Sequence, residues 1–254
     1  MLHVERQKQI IDMLLKNGSV KILDLSKEYE VGVETIRRDL KAIASQIDIE
    51  LIYGGACIKD HIKLNIVEES VKEKRSIEYT NKQIIAKKAA NLINKGDTIA
   101  LNSGSTVEYI LDYISDKTPL SIVTLSAQIA LKAISVPNVD VYIPGGKLRN
   151  KSTAVVGPTT AQFLKSFNID KCFFGASAID FKKGVLHPVI EEVDINMAML
   201  SVSNEKYLVA DSTKMDNTSL YTMAKIEEFD GFIVDEDFKE EDKIFLQEKE
   251  IKVY

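Results

Sequence analysis

The chain has 254 residues, 45% of them hydrophobic, and its 33 Lys and Arg against 38 Asp and Glu leave a formal net charge of -5. That length supports one small domain plus a second of roughly 190 residues with its own core. No run of roughly eighteen apolar residues exists, so no membrane-spanning helix is expected.

The opening Met1-Leu2-His3-Val4-Glu5-Arg6 leads into a charged helix and has no signal-peptide shape. Cys57 and Cys172 are far apart in apolar settings. They read as buried thiols in a reducing compartment, the cytoplasm, and not as a disulfide or a metal site. His3, His61 and His187 are scattered. No metal cluster, catalytic triad or cofactor is therefore expected.

A first helix is expected over Glu5 to Lys16, with Ile10, Ile11, Leu14 and Leu15 at helical spacing and Asn17-Gly18 as its stop. Ser19 is placed to cap a second helix, roughly Lys21 to Tyr29, on whose face Ile22, Leu25 and Tyr29 recur. Glu30-Val31-Gly32 forms a turn, and a third helix runs from about Val33 to Ser45.

The third helix is split in polarity. At ~100° per residue, Ile36, Leu40 and Ile43 fall on one side and Glu34, Arg37, Arg38 and Lys41 on the other. An apolar back with a cationic front suits docking on a small domain and insertion into the major groove of DNA. Two short strands, Ile49 to Ile52 and Ala56 to Ile58, are expected next, joined by a tight hairpin at Tyr53-Gly54-Gly55. A helix-turn-helix followed by a hairpin is a winged helix. Residues 1 to 60 hold nine Lys and Arg against ten Asp and Glu, so the cationic stripe is confined to the third helix. A modest salt dependence of DNA binding follows.

These residues resemble the N-terminal signature of DeoR-family transcriptional regulators. The resemblance is carried by Arg6, Ile10, Leu14, Val31, the run Thr35-Ile36-Arg37-Arg38-Asp39-Leu40, and Gly54-Gly55-Ala56. It implies DNA contacts from Glu34, Thr35, Arg37, Arg38, Lys41, Tyr53 and Gly54. Gly32 stands where the family usually has a capping Ser, and Leu51 and Tyr53 where it usually has Arg and His.

Residues 59 to 80 are charged and lack apolar periodicity, which reads as a linker with a short helix around Glu68 to Arg75. Beyond it the chain alternates. A helix from Lys82 carries Ile84, Ile85, Ala89, Leu92 and Ile93 and ends at Lys95-Gly96. Strands are expected at Thr98 to Leu101, Leu120 to Leu125, Val139 to Ile143, Lys171 to Gly175, Tyr207 to Ala210 and Phe232 to Val234. Helices are expected at Thr106 to Tyr113, Ser126 to Ile134 and Ile190 to Val202. Such alternation predicts an α/β domain over 81–254, with a mainly parallel sheet covered on both faces and ligands at the C-terminal strand ends.

The loop Asn102-Ser103-Gly104-Ser105-Thr106 follows a strand and opens a helix. Its hydroxyls, its glycine and the free N–H groups of the helix start suit a phosphate. Loops at Pro144 to Arg149, Gly175 to Asp180 and Ala210 to Lys214 also follow strands, and together they could share a pocket.

This half resembles the C-terminal effector domain of the same family, through Gly96-Asp97-Thr98, Ser103 to Thr106, Gly145 to Arg149, Val156-Gly157-Pro158, Phe174-Gly175-Ala176, Glu192 and Asp211 to Lys214. The resemblance implies a fold similar to ribose-5-phosphate isomerase and a phosphorylated-sugar effector. Ser103, Gly104, Ser105 and Thr106 would hold the phosphate. Ser126 would lie beside them, Lys147, Arg149 and Lys214 would neutralise charge, and Asp180 and Glu192 would accept from sugar hydroxyls. Asn102, Leu125 and Asn196-Met197 depart from the family's usual Asp, Asn and Lys-Arg.

The expected function is a repressor of a sugar-utilisation operon that binds double-stranded operator DNA as a dimer or tetramer, with no catalytic residues. The alternative is a sugar-phosphate isomerase with an accessory helix-turn-helix domain, using Glu192 as base and Lys214 or Lys147 as electrophile.

Overall fold

The computed structural model of the chain describes residues 3–17, 19–44, 47, 49–52, 54–58, 70 and 79–254. It forms two compact units, Met1–Leu64 and Asn65–Tyr254. The linker expected at residues 59 to 80, with its short helix, lies almost wholly outside the described residues, as do Tyr53 and Ser45.

The first unit contains α1 (His3–Asn17), β1 (Ser19–Lys21), α2 (Ile22–Glu28), α3 (Val33–Ile43), β2 (Ile49–Ile52) and β3 (Gly55–Ile58). Its core joins Ile10 and Leu14 of α1 to Ile22, Leu25, Ile36, Leu40 and Ile43. Ile36, Leu40 and Ile43 are almost wholly buried, which contributes at most about 5–9 kcal/mol to docking α3. A second fastener crosses the core. Arg6 Nε donates to Asp39 Oδ2 at 2.6 Å and Gln7 Nε2 to Asp39 Oδ1 at 2.9 Å, with Arg6 and Asp39 both buried.

One local expectation is corrected here. The cap position of α2 falls on Lys21 rather than Ser19, and Lys21 makes no side-chain bond there. Ser19 to Lys21 instead pairs antiparallel with β3, giving a three-stranded sheet in the order β1-β3-β2. A long-range ladder outcompetes a local cap because it satisfies several backbone groups together. Gly55 makes the crossing possible: a Cβ there would lie 2.1 Å from the Val20 carbonyl oxygen. Gly54 carries the positive φ of the turn, 90°.

The second unit opens with α4 (Tyr79–Asn91) and β4 (Thr98–Leu101). Next come α5 (Ser105–Glu108), β5 (Leu120–Thr124), α6 (Ala127–Ala133), β6 (Val139–Tyr142), β7 (Lys147–Leu148) and β8 (Val155–Val156). The chain continues through α7 (Pro158–Leu164), β9 (Ile169–Gly175), β10 (Ala178–Asp180), β11 (Gly184–His187), α8 (Ile190–Ser201) and β12 (Ser203–Val209). It closes with β13 (Tyr221–Ala224), β14 (Gly231–Ile233), α9 (Glu240–Glu248) and β15 (Lys252–Val253).

Seven parallel strands form the main sheet in the order β15-β14-β12-β9-β4-β5-β6. Side chains alternate between faces, so Cys172 and Phe174 enter one apolar layer while Phe173 enters the other. Burial of both faces explains the near-continuous apolar strands read in the sequence. Cys172 is fully buried, and burial pushes its thiol up to about 12; the Cys57 side chain lies outside what the structure describes. Strand order reverses between β4 and β9: from β4 the chain builds toward β6, and from β9 toward β15. In open α/β sheets the crevice at the C-terminal ends of such neighbouring strands is the natural ligand position.

The sequence predicts neither α7, α9 and β15 nor two small antiparallel additions. β7 and β8 form an antiparallel ribbon, and β10, β11 and β13 a separate antiparallel sheet.

Candidate functional site

On α3 the charged front is open to solvent. Glu34, Arg37, Arg38 and Lys41 are exposed and Thr35 is half-buried. Arg37 and Glu34 form an exposed pair at 3.2 Å. Such a pair contributes little and is readily exchanged for a phosphate or base partner. Gly54 stands at the wing tip, and Arg37, Lys41, Leu51, Gly54 and Gly55 line a common groove. Asp39, inside the same Thr35 to Leu40 run, faces the opposite way and holds α1. Its neighbours therefore present cations because Asp39 anchors the helix behind them.

In the second unit, Ser103, Gly104, Ser105, Thr106, Glu192 and Lys214 line one cavity, with Lys82, Asn102, Ser152, Gly175, Ala176, Ser177, His187 and Pro188. The cavity lies against the loops that leave β4 and β9, where the strand order reverses. Those loops touch through glycine. A Cβ on Gly104 would stand 3.1 Å from the Gly175 Cα, and one on Gly175 would stand 3.2 Å from the Gly104 Cα.

Asn102 sews the two together. Its Oδ1 accepts from Gly104 N at 3.2 Å and Gly175 N at 3.0 Å, while its Nδ2 donates to Gly175 O at 3.1 Å. An ionised Asp could accept both bonds but could not make the third. The departure from the family's usual Asp thus fits the local geometry.

Glu192, in the first turn of α8, is 1% exposed and is the convergence point of the wall. Ser103 Oγ donates to its Oε2 at 3.1 Å, Arg149 pairs with its Oε1, and His187 Nε2 lies 3.6 Å from Oε2. Arg149 also reaches Ser152 Oγ at 3.5 Å and Glu191 at 3.8 Å. Lys147 lies outside the cavity lining; it is exposed and holds Glu191 at 3.0 Å. Lys147 and Glu191 hold each other across the surface, and that bond with the lysine's charge keeps the Glu191 carboxyl below its usual range. The ribbon carrying Lys147 and Arg149 is therefore tied to the start of α8.

Arg149, like Lys147, is not among the lining residues, and two further expected effector residues are used elsewhere. Ser126 caps α6 by accepting from Ile129 N at 3.3 Å, and it shares a 2.9 Å bond with Thr153 Oγ1. Asp180 turns back on its own loop, accepting from Lys182 N at 2.9 Å and Lys183 N at 3.1 Å and pairing with Lys183 Nζ at 3.2 Å. Burial pushes the Asp180 carboxyl up, but these donors win and hold it below the usual range. Neither residue is among those lining the cavity.

The helix after Ser103 is only four residues long before it tightens into a 3-10 turn at Tyr109–Tyr113. Its dipole is correspondingly short. The polar groups lining the cavity beside this short helix include the hydroxyls, with Lys82 and Lys214. Lys82, where the sequence predicts only the start of a helix, is 2% exposed. The signal was present: Lys82 shares helical spacing with the buried Ile85, Ala86, Ala89 and Ala90, an ammonium in an otherwise apolar stripe. His187 gave no such signal, since only the fold brings the end of β11 to the loop after β4. Among the described residues no group of His, Cys, Asp and Glu is arranged to hold a metal ion, and no helix is long and apolar enough to cross a membrane.

The model of the DeoR-like helix-turn-helix domain matches residues 6–61, and that of the DeoR C terminal sensor domain matches residues 77–236. The chain belongs to the DeoR family. It is accordingly a DNA-binding transcriptional regulator with a sensor domain. Among DeoR-type relatives, it is 34% identical to a putative aga operon transcriptional repressor of Escherichia coli O157:H7, over 91% of this chain and 86% of that protein. It is 30% identical to the lactose phosphotransferase system repressor of Staphylococcus aureus strain NCTC 8325 / PS 47, over 94% of each chain. Among solved structures, ribose 5 phosphate isomerase A from Neisseria gonorrhoeae matches at 15% identity, covering 53% of this chain and 52% of that one with a TM-score of 0.39. At that level the likeness implies no shared reaction.

Proposed function

We propose that this DeoR-family regulator represses a sugar-utilisation operon and is controlled by a phosphorylated sugar bound in the second unit. The observation that carries the reading is the cavity at the strand-order reversal, where Ser103, Ser105, Thr106, Lys82 and Lys214 gather around a dent bounded by Glu192. Hydroxyls and ammonium groups suit a phosphate, and a buried carboxylate suits sugar hydroxyls. The repressor names of the aga and lactose relatives support the same class. Exposed Arg37, Arg38 and Lys41, with the wing at Gly54, supply the operator contacts.

Control follows from linkage. A sugar phosphate that favours one arrangement of the molecule shifts operator affinity by the same coupling energy. The reading places the protein in the cytoplasm with its DNA, as a dimer or tetramer whose paired helices match two half-sites. A monomeric mass by light scattering, with and without DNA, would refute the pairing.

An isomerase is disfavoured because Glu192, the base such chemistry would use, is already held by Arg149 and Ser103; of its two electrophile candidates, Lys214 lines the cavity and Lys147 lies off it. The test is a thermal-shift screen of phosphorylated hexoses, pentoses and polyols, followed by turnover of any hit. A hit without turnover supports the regulator. Sustained isomerisation, or no hit in any class, overturns it.

A further inference from the structure

The groove beside α3 is lined by both cations and exposed leucines. Leu23, at the start of α2, is 65% exposed and Leu51, on the wing strand, is 45% exposed. Both line the groove of about 430 Å³ that also contains Arg37, Lys41 and Gly54. Other apolar side chains of this unit, such as Ile22, Ile36 and Leu40, close its core; these two are left in water. A leucine cannot donate to phosphate, so the wing at Leu51 cannot grip the backbone as an arginine there would. The thymine C5-methyl is the apolar mark on the base edges of the major groove, and apolar side chains read it by contact. The cations fix what occupies the groove: a polyanion that brings phosphates to Arg37 and Lys41 and an apolar base edge to the leucines.

We propose that Leu51 and Leu23 are specificity-determining residues that read thymine methyl groups of the operator next to the α3 contacts. This deepens the DNA-binding reading above and rests on it. Burying one methyl is worth about 0.8 kcal/mol, a roughly fourfold change in affinity. Leucine at position 51 therefore exchanges a sequence-independent phosphate contact for base selectivity. It also lowers the salt dependence of binding by about one phosphate's share, a slope near 0.9.

The experiment uses the full chain. Duplexes are enriched from a random pool, and each thymine of the best duplex is then replaced by uracil, which removes only the methyl. At one or two positions the parent protein should bind roughly fourfold more weakly after replacement. Leu51→Ala should bind parent and uracil duplexes equally there. Leu51→Arg should lose the methyl effect and gain salt dependence. Both substitutions are at an exposed position, and unchanged melting confirms intact folding.

A duplex indifferent to uracil at every position, or equal losses in parent and Leu51→Ala, overturns the inference and leaves the DNA-binding reading standing. Failure to enrich any duplex overturns both. A change in oligomeric mass by Leu51→Arg without a change in methyl dependence assigns the leucines to self-association and also overturns it.

Discussion

Replacing Asp39 by alanine separates the groups that build the DNA-binding unit from those that touch DNA. Asp39 lies between Arg38 and Leu40, inside the most specific stretch of the sequence, yet its carboxylate is buried against Arg6 and Gln7 of α1. Removing one partner of a buried ion pair costs about 3–5 kcal/mol, because the other charge is left without compensation. A unit spanning Met1–Leu64, at roughly 0.05–0.15 kcal/mol per residue, has a total stability of about 3–10 kcal/mol. The loss is therefore comparable with the whole.

The chain has no Trp, so native-state hydrogen exchange read by mass spectrometry on α1 and α3 peptides is the suitable assay. Protection there should fall roughly 150- to 5,000-fold, while peptides of β4, β9 and β12 keep theirs. The double variant Arg6→Met with Asp39→Leu removes both charges and should recover most of the protection. A loss below about tenfold in Asp39→Ala would show the pair to be as weak as an exposed one and would refute the anchoring argument.

Arg37→Ala and Arg38→Ala change exposed side chains, so the melting temperature should hold within about 0.5 kcal/mol of stability while operator affinity falls roughly 5- to 150-fold; equal affinity in parent and variants would count against the α3 interface. Ser103→Ala with Ser105→Ala removes two hydroxyls of the β4 loop, each worth about 1.5–3 kcal/mol to a bound phosphate, and the thermal stabilisation by any sugar phosphate from the screen should vanish; a retained shift would move the phosphate elsewhere. Asp242 is held above the usual carboxyl range by burial and by Asp216. A carboxyl raised in this way disfavours the folded state above its pKa, and the penalty fades as pH falls toward about 4. Asp242→Asn should thus raise the melting temperature at neutral pH and gain nothing near pH 4, and an equal gain at both would exclude the electrostatic cause.

Periodic and local features were legible in advance. The amphipathic split of α3, the hairpin glycines, the alternation of strand and helix and the Ser103 to Thr106 loop all depend on residues a few positions apart. Each is set by backbone sterics and side-chain spacing, which the sequence states directly. Ser126 and Asp180 show where that legibility stops. A polar residue in a loop after a strand serves equally as a cap, a turn or a ligand contact, and which one depends on where the rest of the chain comes to lie.

Residue order alone thus determined which segments coil, which extend and which face must turn inward. Tertiary structure decided the partnerships: Ser19 to Lys21 joining the wing, Arg6 meeting Asp39, and Lys82 with His187 lining one cavity. It also set the reversal between β4 and β9 that locates the cavity. These contacts join residues far apart in the chain, where no local propensity acts. They form only when burial of two apolar layers outweighs the entropy of closing long loops.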